Sequence, residues 1–128
     1  RIQIVKGWRN AAGALEEHIY DVAVSDGRAI GADGRARKAV GSTVELDAAR
    51  YSNSIGAAVL AAVWRDPDFD PDELAFYYLR ALEIPKPRWT AYDVRYFGIA
   101  MDAEVPMVTQ DRAYTSPIWY SKMAAAVK

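Results

Sequence analysis

The chain has no cysteine and a single histidine, His18. The first absence excludes disulfides, thiolate zinc sites and a cysteine nucleophile. The second excludes any site that needs two imidazoles. A Ser-His-Asp triad would have to use His18, which lies in a strand-like run beside Glu16, Glu17 and Asp21. Excess charge is also missing: 16 basic and 17 acidic side chains leave a net charge of −1. Dedicated nucleic-acid binders and polybasic membrane-surface modules are strongly basic, so nucleic acid is not an expected partner. The longest apolar run, Gly56 to Trp64, falls well short of the ~18 residues of a transmembrane helix, so membrane insertion is not expected. There is no signal-peptide pattern, no G-x-S-x-G elbow and no phosphate-binding glycine loop. The chain opens on Arg1 rather than Met, which points to a segment cut from a longer protein. Its 128 residues fit a single domain, 1–128, with a core of its own.

The patterning is mainly that of strands. Ile2, Ile4 and Trp8 sit at even positions, the period of a half-buried strand. Asn10 to Gly13 reads as a turn, and Glu17 to Val24 as the second arm of a hairpin. Ser25 to Gly41 carries two Asp-Gly turn dipeptides and a run of basic residues, a solvated loop. Thr43 to Tyr51 alternates and predicts a third strand. Gly56 to Trp64 predicts a short strand or an irregular buried segment, with one helical turn as the alternative. Leu74 to Ile84 is the clearest strand, apolar on both faces and therefore central and covered on both sides. Pro85 and Pro87 end it. Thr90 and Asp93 have capping-box spacing and Gly98 suits a helix terminus, predicting one short helix over 91–97. Pro117 marks an edge or bulge in the last strand pair. The expected fold is an antiparallel, β-sandwich-like domain with that one helix.

Two groups of side chains invite a chemical reading. Asp66, Asp68, Asp70 and Asp72 alternate in RDPDFDPD, and spaced carboxylates are what Ca²⁺ prefers. The loop lacks the glycine and the terminal glutamate of an EF-hand, so it is a weak calcium candidate, and a proline-stiffened turn with Asp side chains accepting backbone N–H groups is the preferred reading. Among the aromatics, Trp64 and Trp119 are expected in the core. Trp89, flanked by Arg88 and Tyr92 with Asp93 close by, is the best exposed candidate, and its readings are packing within the domain, an interdomain contact or a ligand platform. Arg88, Trp89, Tyr92 and Asp93 are thus the interface or ligand candidates. No catalytic residue and no cofactor site is expected.

The strings YSNSIGA, VWRDPDFDP, AFYYLRALEIPKPRWTAYD and RAYTSPIWY, preceded by the strand-like Gly41 to Leu46, occur here in one order. Over Ile2 to Tyr120 the chain resembles the C-terminal region of a large bacterial family of unknown function. Its members resemble the PHP group of metal-dependent phosphoesterases, named for polymerase and histidinol phosphatase. The resemblance implies that the metal-binding histidines and carboxylates lie upstream, in a catalytic domain, and it carries no metal or catalytic residue onto this chain. It also implies frequent export, hence a periplasmic or cell-envelope location. The expected role is an accessory domain packed on that upstream catalytic domain, with self-association of the isolated piece through the same surface. A carbohydrate-binding module is the alternative.

Overall fold

The structure is a computed structural model and describes residues 1–122. As the sequence predicts, it is mainly β and antiparallel, with two sheets and one α-helix. Strand β1 (Ile2–Arg9) lies at the centre of the larger sheet, flanked by β2 (Leu15–Ala23) and β3 (Leu74–Leu82). The β1–β2 hairpin closes through Asn10, whose side-chain oxygen accepts the Ala12 and Ala14 N–H groups. This Asx geometry is why the turn falls there. Strand β4 (Lys86–Pro87) pairs with β5 (Val108–Thr109) in the small sheet. Helix α1 (Trp89–Phe97) lies between them in sequence.

Strands β6 (Arg112–Tyr114) and β7 (Ile118–Tyr120) both pair with β3, at opposite ends. Between them Thr115 bulges. Its N–H donates to the Leu79 carbonyl, and its Oγ1 accepts the Leu79 N–H at 3.0 Å, in place of a backbone carbonyl. Pro117 sits in this interruption, as its missing N–H predicts.

Period two sorts the large sheet into two faces. One carries Ile4, Lys6, Trp8, Tyr20, Tyr77 and Tyr120, and the segment from Trp64 to Glu73 folds over it. The other carries Gln3, Val5, Gly7, Ile19, Phe76 and Tyr78. Val5 is fully buried there, which contributes about 1.5–3 kcal/mol. Phe76 lies across β1 at Gly7, where an added Cβ would stand 2.4 Å from the ring Cζ. Glycine is the residue that leaves room for it.

Four expectations are corrected. Thr43 to Tyr51 is not a strand. Leu46–Ala48 forms a 3₁₀ turn, closed by reciprocal Glu45–Arg50 backbone bonds with Ala49 at φ 48°. Local hydrogen bonding overrides the alternation. Gly56 to Trp64 is irregular but not buried: Val59 and Val63 are exposed, and Gly56, Leu60 and Trp64 are half-buried. The capping box does not form. The helix starts two residues earlier than expected, with Arg88 at the N-cap, and the Thr90 hydroxyl donates to the Pro106 carbonyl instead. Trp119 does not fill the core but is 74% exposed: it stands on the outer strand β7, away from the buried Gln3, Val5 and Asp21 of the same sheet face. Gly98 does end the helix, at φ 64°, the left-handed conformation glycine adopts without strain.

Candidate functional site

The most elaborate polar assembly is built on β1. Lys6 lies between His18 of β2 and Tyr77 of β3, and its ammonium is almost wholly buried. Nζ donates to the Asp68 carbonyl at 2.7 Å, lies 2.8 Å from Asp66 Oδ2 and 3.8 Å from Glu73 Oε2. The ring of Trp8 stands 5.1 Å away, a cation–π contact. The Tyr77 hydroxyl donates to Asp66 Oδ2 at 2.7 Å and that of Tyr20 to Asp68 Oδ2 at 2.9 Å. Trp64 packs against both tyrosine rings. Burial opposes the Asp66 charge, but the Lys6, Tyr77 and Asp68 hydrogen bonds outweigh it and hold the carboxyl below its ordinary value. Burial, then the bonded carboxylates, push both phenols above theirs. The Lys6 and Asp66 side chains at the centre of the assembly are closed off from solvent. The assembly clamps the acidic loop onto the sheet, with an ammonium where a bound cation would otherwise be needed.

The four aspartates of the suggested calcium loop therefore separate. Asp66 and Asp68 face the clamp, Asp70 accepts the Asp72 N–H, and Asp72 pairs with Lys122 at 2.5 Å. Among the described residues no group of three His, Cys, Asp or Glu side chains could hold a metal ion. His18 stacks on Tyr20 at 4.2 Å between ring centres. On the opposite sheet face, Gln3 bridges the buried Asp21 (2.6 Å) and Arg80 Nε (2.5 Å), and Asp21 also accepts the Ala36 N–H. No buried side-chain nitrogen or oxygen among the described residues lacks a partner, as folded proteins generally require.

The surface is less settled. In α1 the small Thr90 and Ala91 are buried, while Trp89 is 60%, Tyr96 75% and Phe97 74% exposed. The Arg88 guanidinium stands 5.6 Å over the Trp89 ring, Tyr92 is exposed, and Asp93 is half-buried. The four sequence candidates are thus together at the helix start. Tyr96 and Phe97, just as exposed, were missed. The spacing of Trp89, Tyr92 and Tyr96 around a helix was the available signal.

A second group is a row of rings on the sheet face that carries Val5, exposed at its ends, Trp119 and Tyr114, and half-buried at Phe76 and Tyr78. Trp119 lies 5.2 Å from Phe76, Phe76 lies 6.5 Å from Tyr78 with its plane within 9°, and Tyr78 lies 6.2 Å from Tyr114. Three strands, β7, β3 and β6, supply it.

No curated protein and no solved structure matches the chain. Over residues 1–122 it matches a family described as protein of unknown function, and the chain belongs to that family, DUF3604.

Proposed function

We propose that this chain is a non-catalytic accessory module of a larger protein, a metal-dependent hydrolase whose metal centre lies outside these residues. Helix α1 is the docking surface. The observation that carries this reading is the reversed helix: it buries its two small residues and presents Trp89, Tyr92, Tyr96 and Phe97 to solvent. A helix normally turns its large apolar residues toward a core, so such a surface fits a partner that covers it. The exposed Val59 and Val63 add to the same need. The family resemblance supports the hydrolase parent and an exported location. Hydroxyl-radical footprinting of the natural protein tests the docking. Tyr96 and Phe97 are expected to be shielded there despite their exposure in this chain. Oxidation of both as free as that of surface tyrosines would end the reading.

A second reading, a ligand-binding module, is favoured by the Trp119–Phe76–Tyr78–Tyr114 row. It uses a different surface and is compatible with docking through α1.

A further inference from the structure

The outer part of the sheet face that carries Val5, on β3, β6 and β7, combines two features. Its floor is the aromatic row, with Trp119 74% and Tyr114 56% exposed and ring separations of 5.2 to 6.5 Å, on the scale of one pyranose ring. Its ends are basic. The pairing register places Arg9, Arg80 and Arg112 on this same face, and among the described residues none of the three pairs with a carboxylate, unlike Arg35, Arg50, Lys86 and Lys122. Among the strand residues of this face only Glu17 and Asp21 are acidic, and Asp21 is buried in its own network. An occupant of this face must therefore offer apolar ring faces and negative charge together.

Resting on the ligand-binding reading, we infer that this face binds an acidic polysaccharide bearing uronate carboxylates. The C–H faces of the sugar rings pack on Trp119, Phe76, Tyr78 and Tyr114. The carboxylates meet Arg112 and the terminal nitrogens of Arg80, whose planar guanidinium suits bidentate carboxylate binding. Arg80 is prepositioned for this by the Nε bond to Gln3. A single-stranded nucleic acid offers flat rings and charge as well, but its affinity comes chiefly from many neutralised phosphates, and the chain as a whole carries a net charge of −1.

The test is affinity electrophoresis and calorimetry of the full chain with polygalacturonate, hydroxyethyl cellulose as the neutral polymer and poly(dT) as the polyphosphate. Polygalacturonate alone is expected to bind, more weakly as salt rises. Trp119→Ala should weaken it about tenfold or more through the lost ring contact. Arg112→Gln should weaken it with no change in melting temperature, since Arg112 is exposed and makes no ion pair among the described residues. Equal binding of the neutral polymer, lost in Trp119→Ala, would overturn the acidic class while leaving a ligand-binding module standing. Preference for poly(dT) would overturn the inference in favour of nucleic acid. Silence toward all three, or shielding of Trp119 by polypeptide in the natural protein, would overturn the inference and the ligand-binding reading together.

Discussion

Replacing Lys6 by methionine removes the ammonium from the clamp while keeping an unbranched stem of similar length in the sheet. Asp66, whose side chain is 6% exposed, then keeps only the Tyr77 hydroxyl and the Asp68 N–H as donors. Removing one partner of a buried ion pair costs ~3–5 kcal/mol. The two surviving donors place the loss at the lower end, about 3 kcal/mol. For a domain of this size each kcal/mol lowers the melting temperature by roughly 3–5 °C, so Lys6→Met should melt roughly 9–15 °C lower. The assay is urea and thermal unfolding followed by tryptophan fluorescence, which reports Trp64 beside the clamp. Adding Asp66→Asn removes the stranded charge, and the double variant should regain at least half of the loss. A single-variant loss below about 1 kcal/mol, the range of an exposed pair, or no recovery in the double variant, would refute the view that a buried charge pair holds the loop down.

Gly7→Ala should displace the Phe76 ring and cost about 1–3 kcal/mol, the range for overpacking, with a near-ultraviolet dichroism change as the signature. Absorbance at 295 nm on alkaline titration should show Tyr20 and Tyr77 ionising later than the other tyrosines. Their raised values mean that the stability they contribute is present below about pH 10 and is lost as pH rises through the folded values. Asp66 works in the opposite sense: its contribution is complete above about pH 4 and is lost as pH falls through its depressed value, so Asp66→Asn should flatten the acid limb of stability against pH. Calcium and EDTA should both leave the melting temperature unchanged, because Asp66 and Asp68 already have partners; a rise with calcium would show that the loop can be remodelled around a metal.

The β1–β2 hairpin and β3 were legible because their side-chain period, two, is a local property and the turn at Asn10 supplies its own hydrogen bonds. The helix was legible from Gly98, but its start was not, since Thr90 spends its hydroxyl on Pro106, sixteen residues away in sequence. Thr43 to Tyr51 misled because alternation says nothing about whether a partner strand exists, and here Ala49 folds the segment back on itself. The acidic loop was visible as a cluster of carboxylates. That Lys6 would meet it was not, because the contact spans sixty-two residues of sequence and a lysine in a central strand reads as an exception. The aromatic row was hidden for the same reason: Trp119 meets Phe76 only through the pairing of β7 with β3.

The bulge at Thr115 bears on how copies of this chain can associate. A continuous outer strand on β3 would present a row of free backbone groups on which a second copy could add, and a third on the second, without limit. Here a threonine hydroxyl stands in the ladder and a proline without an N–H follows two residues on. The outer strand is thereby cut into two pieces of three residues each, too short and out of line to template an incoming strand. Growth in that direction is blocked, so the exposed aromatics nearby can be tolerated without seeding a fibril.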